Sequence, residues 1–355
     1  MKILSRKVDP IKYEKFLSIV MEKAGMSAEH AAITAKVMIT NEKLGISTHG
    51  SYHTLTYIKK MQTGGIDPKA IPEVIKEGPS YAVMNAHDCL GMVASWKAMD
   101  LAIEKASKVG ISYVGVIESS HFGSCACFAL KAAEKGMIGM AMTNTFKNMA
   151  VPGSRGKVIG NAPLGYALPA KKHYPVFFDV ATSVAALTKI LRSVESGQLL
   201  PEGWIVDEKG RPTRDPNTTN FSMLPFAGHK GYGFAFFIEA MTGILTGGTF
   251  LGGVAPDWMQ NYPVKNKANH AFMVIDPSFI IGKEAYAERI DMAIDELHNS
   301  PVAEGSSRIY VPGEIEMENK ARAEREGVVL GDVLLKNMQE VCTILDLNMD
   351  DVFLD

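Results

Sequence analysis

Between residues 80 and 280 the chain alternates short, densely apolar runs with longer stretches of helical period, and glycine or proline marks most of the changes. A run that is apolar at nearly every position and only five to nine residues long fits a strand buried on both faces. An apolar residue every three to four positions fits a helix with one buried side. "YAVMNA" (81–86), "ISYVGVIES" (111–119), "MIGMAMTN" (137–144), "YPVFFDVA" (174–181) and "HAFMVIDP" (270–277) read as strands. "SWKAMDLAIEKASKVG" (95–110) reads as a helix closed by Gly110, and "GHKGYGFAFFIEAMTGILTG" (228–247) as a glycine-led apolar helix. Outside this region the pattern is helical. Asp9-Pro10 offers an N-cap followed by proline at the first helical position. Tyr13, Phe16, Leu17 and Val20 then share one face. Ser27 caps a second helix reaching about Lys43, a short third fits Thr54 to Met61, and two more fit 283–298 and 330–346. The class is therefore mixed α/β (α+β): a central sheet domain over 76–282, and a helical domain built from both termini, 1–75 with 283–355.

The formal charge of −2 and the absence of a basic block argue against nucleic acid as a partner. No apolar run approaches the roughly 20 residues that span a bilayer. With a short apolar stretch at the N-terminus and four cysteines in no framework spacing, a cytoplasmic protein is expected. Cys125-x-Cys127 has no second pair and is not a zinc-knuckle spacing.

Several common signatures are missing. No strand–GxGxxG–helix unit occurs; "GYG" at 231–233 lacks the third glycine and a preceding strand. GxxxxGK[ST], HExxH, paired CxxC and GxSxG are absent as well.

Four polar clusters nevertheless stand at the ends of apolar segments. Thr48-His49-Gly50 is followed by His53 and Tyr57, which share its side if the stretch is helical. "ESSHFGS" (118–124) places His121 between a strand and a helix start, where backbone N–H groups meet anions. Asp179 ends an apolar strand and needs partners there. "AGHKGYG" (227–233) puts Lys230 and Gly231 before a helix and suits a pyrophosphate. Each also has a plain structural reading. His49 could cap a helix, Asp179 could cap the helix near 184, and Lys230 could be a solvated loop lysine.

Taken in order, these clusters resemble the malate/L-lactate dehydrogenase family that is distinct from the Rossmann-type lactate and malate dehydrogenases. The stretches that carry the resemblance are "STHG" (47–50), "SSHFG" (119–123), "GNAPLGYALP" (160–169), "FDVATS" (178–183), "PEGWIVDEKGRPTRDP" (201–216), "GHKGYGFAF" (228–236) and "YVPGE" (310–314). The resemblance implies a family-specific NAD(P)-binding fold, which accounts for the missing GxGxxG, and a homodimer. It implies hydride transfer between nicotinamide and a small 2-hydroxy or 2-oxo acid, malate-like by default, with NAD slightly favoured over NADP. Reduction of a cyclic imino acid is the alternative within enzymes, and a non-catalytic ligand-binding relative the alternative outside them. An imidazole suits the proton transfer, since its ordinary pKa of about 6.5 lies near working pH. His49 is the expected proton carrier, with Thr48 orienting it and His121 the competing candidate. Asp179 would orient a histidine or bind cofactor. Cofactor contacts are implied for His121, Gly123, Ser124, Thr145, Asp179, Ala181, Lys230, Gly231, Pro312 and Gly313; no metal is implied.

The chain departs from the family pattern at His53, where many relatives carry an arginine expected to clamp a substrate carboxylate. Imidazole cannot form the bidentate, permanently charged fork of a guanidinium. His53 and Tyr57 are therefore expected at the substrate, and Lys147, with Arg155, is expected to supply the missing positive charge.

Overall fold

The computed structural model describes residues 5–256 and 259–354. In chain order the elements are β1 (Arg6–Val8), α1 (Pro10–Lys23), α2 (Ala28–Lys43), α3 (Thr54–Thr63), β2 (Glu73–Glu77), β3 (Tyr81–Asn85), α4 (Gly91–Val109), β4 (Ile111–Ser119), α5 (Cys125–Ala133) and β5 (Ile138–Thr143). They continue with β6 (Pro163–Leu168), β7 (Val176–Ala181), α6 (Leu187–Ser196), three two-residue strands β8 (Ile205–Val206), β9 (Pro212–Thr213) and β10 (Ser222–Met223), and α7 (His229–Glu239). The last are β11 (Ala268–Ile275), α8 (Lys283–His298), α9 (Glu314–Glu326), β12 (Val328–Leu330) and α10 (Asp332–Leu345).

A seven-stranded mixed sheet, ordered β2-β3-β4-β11-β5-β6-β7, forms the centre. Only β3 and β4 run parallel, joined by the crossover helix α4; the other neighbours are antiparallel. Successive residues of a strand face opposite sides. Ala141 and Phe272 enter the main core with α4 and α5, while Met142 and Ala271 pack with Ile238 of α7. This two-sided burial explains the uninterrupted apolar runs in the sequence.

The terminal helices begin as the caps dictate. Asp9 accepts from the amides of Ile11 and Lys12, and Ser27 from that of His30. The main core runs without a break from Leu17 and Met38 through Val114 and Phe272 to Met338, so the two expected units share one core. α8, assigned to the helical unit at the sequence level, is tied to the β6–β7 turn. Asp291 accepts from the amides of Lys171, Lys172 and His173 there. Sequence patterning missed β1, β2, β6, the short strands β8, β9 and β10, α9 and β12, and the helix expected near 184 begins at Leu187 as α6. No described helix is long and apolar enough to cross a membrane.

Candidate active site

The stretch after α2 folds as two consecutive 3-10 turns, Ser47–His49 and Ser51–His53, and passes directly into α3. A buried carboxylate holds it there. Glu42 accepts from the Ser51 amide at 2.8 Å and from Ser51 Oγ at 2.6 Å, and the Tyr13 hydroxyl donates to the same Oγ at 2.9 Å. Gly50 makes this approach possible, since a Cβ there would lie 2.5 Å from Glu42 Oε1. Asn41 donates to the His49 carbonyl at 3.1 Å and accepts from Ser124 Oγ. Helix α2 thus fixes the His49 turn and the His121 segment together.

The result is a cluster of three imidazoles on one wall of a cavity of about 450 Å³. The ring centroids of His49 and His121 are 5.8 Å apart, and those of His53 and His121 5.4 Å. His49 Nδ1 lies 3.0 Å from Thr48 Oγ1, and His121 Nδ1 lies 2.6 Å from the hydroxyl of the fully buried Tyr57. Burial keeps all three rings neutral at pH 7. It pushes His49 down to about 4; burial and then the neighbouring His49 push His53 to about 3. His121 falls well below its ordinary value through burial first, and then through His53 and His49. Beneath them His270 stacks on Phe122 at 4.6 Å, with its nitrogens on Thr143 Oγ1 and Ser119 Oγ. Both ring nitrogens are occupied, so this histidine is structural, and nothing in its strand sequence distinguished it.

Thr48, His49, His53, His121, Gly123, Ser124, Thr145, Asp179, Ala181 and Gly313 all line this cavity. Tyr57 stands behind the wall, as the partner of His121 rather than as a direct lining group. Asp179 orients no histidine. Its carboxylate accepts from the Ala126 amide at 2.8 Å, capping α5 rather than the helix near 184. Desolvation raises it to about 6, and the amides of Ala126 and Cys125 oppose the rise. Ser124 is the N-cap of the same helix.

Lys147, Arg155, Lys230, Gly231 and Pro312 are not among the described lining residues. Lys147 and Arg155 are exposed, the first directed toward Gly252 and the second packed near Gly210, outside the described lining of this wall. Lys230 is exposed on the first turn of α7, and Gly231 sits close under the carbonyls of Phe226 and Thr182. The Pro312 carbonyl accepts from the Phe177 amide, and Gly313 is left-handed with Phe177 against its α-carbon. Among the described residues no group of three or more His, Cys, Asp or Glu could hold a metal ion.

A hydride-transfer site needs room for a planar ring, polar wall groups to orient it, and a proton-exchanging residue alongside. The cavity offers all three: apolar walls from Phe146 and Leu187, amides and hydroxyls from Asn144, Asn148 and Thr145, and the imidazole cluster. The model of the malate/L-lactate dehydrogenase family matches residues 8–339. The chain belongs to that family. It is 36% identical over 345 residues to the L-sulfolactate dehydrogenase of Methanocaldococcus jannaschii, covering 96% of this chain and 98% of that one. To the malate/(S)-sulfolactate dehydrogenase of Methanothermus fervidus it is 32% identical, covering 96% and 99%. The solved sulfolactate dehydrogenase from Methanocaldococcus jannaschii superposes with a TM-score of 0.90 at 35% identity, over 98% of this chain and 99% of that one. The protein is accordingly an oxidoreductase of the hydroxy-acid dehydrogenase type on a mixed α/β fold.

Proposed function

We propose that the protein transfers a hydride between a nicotinamide cofactor and a 2-hydroxy acid of the malate–sulfolactate class, in either direction. The observation that carries the reading is the Tyr57–His121 pair facing a cavity shared with His49 and His53. A bound nicotinamide supplies the carbon that accepts or gives the hydride. The residues of the chain handle the proton and the anion. With Nδ1–H donating to the Tyr57 oxygen, His121 presents Nε2 as the base that takes the hydroxyl proton. The phenol stays protonated, since burial raises its pKa. His49, held by Thr48 as the sequence suggested, takes the supporting place beside the substrate. This reverses the expected order of the two histidines, because the buried phenol is closer and more rigidly placed than the hydroxyl of a sequence neighbour. His53 then contacts the second acidic group of the substrate.

The wall carries the carboxylates of Asp179 and Glu316 and, among its described residues, no lysine or arginine. That charge balance favours a free ribose hydroxyl over a 2′-phosphate, hence NAD. The four free thiols fit a reducing, cytoplasmic setting. A homodimer would cover the exposed phenylalanines 234, 236 and 237 of α7, which are 50%, 53% and 46% accessible. The test is oxidation of NADH and NADPH against sulfopyruvate, oxaloacetate, pyruvate and a cyclic imino acid. Turnover of sulfopyruvate or oxaloacetate with NADH supports the reading. Turnover of the imine alone overturns it.

A further inference from the structure

The strand that leads to His121 is irregular at one residue. In the β4–β11 ladder Val116 pairs with His270, and Ser119 with Ala268. Two residues of β4, Ile117 and Glu118, therefore stand against one of β11, Asn269, which is a β-bulge. Glu118 is left-handed there, with φ at 56°. A bulge bends its strand and re-aims the side chains beyond it, and its left-handed position favours glycine. Glutamate occupies that conformation at a cost, so the surrounding structure must hold it.

Lys267 supplies the hold. Its Nζ pairs with the Glu118 carboxylate and lies 3.2 Å from Asp88 Oδ1. Asp88 and Lys267 are left-handed themselves, with φ at 63° and 57°. The Asp88 amide donates to the Glu118 carbonyl at 2.9 Å. Lys265 Nζ lies 2.6 Å from Asp88 Oδ2, and the fully buried Lys60 donates to the carbonyls of Val264 at 2.6 Å and Tyr262 at 3.3 Å. Each residue from 118 to 121 then has its own tie. Glu118 pairs with Lys267, Ser119 Oγ lies 2.9 Å from His270 Nε2, Ser120 Oγ accepts from the Gly91 amide at 3.0 Å, and His121 meets Tyr57. Lys267 itself stands between Asn266 and Ala268, which both line the cavity; Lys267 and Glu118 are not among the described lining residues.

We infer that Lys267 is a positioning residue for the proton-transfer step: it keeps the bulge at Glu118 in its left-handed form and so aims His121 into the cavity. This rests on the functional reading above. Of the four ties, the Glu118–Lys267 contact is the one ion pair, and its two side chains are 30% and 31% accessible. Removing the ammonium leaves Glu118 open to water, and Asp88 keeps Lys265, so no buried charge is orphaned. What is lost is the restraint on a residue with a Cβ in the left-handed region. A glycine at 118 needs no such restraint.

The experiment is a double-mutant cycle in the full-length chain: Lys267→Met, Glu118→Gly and the two together, with Lys267→Gln in place of the methionine variant if that one does not fold. It measures kcat and KM with NADH and sulfopyruvate or oxaloacetate. It also follows the imidazole carbon–proton NMR signal of His121, assigned by its loss in His121→Gln. Lys267→Met should lower kcat about fivefold or more, leave substrate KM within about twofold, and shift the His121 signal. In the Glu118→Gly chain the same substitution should change kcat by less than about twofold and leave the His121 signal in place. A normal kcat with an unmoved signal in Lys267→Met overturns the proposal. So does an equal loss in both backgrounds, which is what a contact unrelated to the bulge would give. A loss confined to KM overturns it as well. If the wild type turns over none of the acids, the dehydrogenase reading fails, and the His121 signal across the cycle still decides whether Lys267 sets that ring through Glu118.

Discussion

The hydroxyl of Tyr57 lies 2.6 Å from Nδ1 of His121, joining the start of α3 to the segment after β4 across 64 residues of sequence. Such a partner fixes which ring nitrogen faces the cavity. Tyr57→Phe should lower kcat about tenfold, the rate equivalent of one hydrogen bond of about 1–1.5 kcal/mol. Substrate KM should change little, which steady-state kinetics will read.

The two candidate histidines should separate in the same assay. Removing a general base costs about 10² to 10⁴ in rate. His121→Gln should fall in that range. His49→Gln should lose less in kcat and more in substrate affinity. The opposite ranking would return the proton to His49.

Acid should weaken both activity and fold. The unfolded chain binds protons at its histidines as pH falls through about 6.5, whereas native His49 resists until about 4 and His53 until about 3. Stability from these rings is complete above about 6.5 and is lost progressively as pH falls toward the native values. Asp179 acts oppositely: raised to about 6, its contribution is full below its ordinary range and declines as pH rises through 6. Urea denaturation at pH 7.5, 6 and 5 should show falling stability, and His49→Gln should flatten the slope. The acid limb of kcat/KM for hydroxy-acid oxidation should lie below 6.5.

Lys147→Ala should leave KM for every acid substrate within about twofold, as for an exposed residue with no special contact. A large rise in KM would bring Lys147 back to the substrate.

Gly313→Ala should cost about 1 kcal/mol or more in stability, because φ is +87° and the new Cβ would meet the Phe177 ring at 2.4 Å. Phe177 lines the cavity, so NADH affinity should fall as well. Chemical denaturation and fluorescence titration report the two effects separately.

The amino-acid sequence by itself determined the elements whose cause is local. Asp9-Pro10 and Ser27 start their helices through side-chain caps, and the apolar runs at 111–119 and 270–277 are strands because both faces are buried. It also singled out His49, His53 and His121 as candidates, through the order of short motifs along the chain, and the structure brings the three to one cavity. The tertiary structure decided what depends on distant partners. Asp179 caps α5 because β7 runs past its N-terminus, and Lys147 and Arg155 lie outside the wall because their loops turn toward Gly252 and Gly210. The place of the segment 262–267 carries no local signal at all. It comes from three lysines reaching Asp88, Glu118 and two loop carbonyls, contacts that no spacing along one segment can encode.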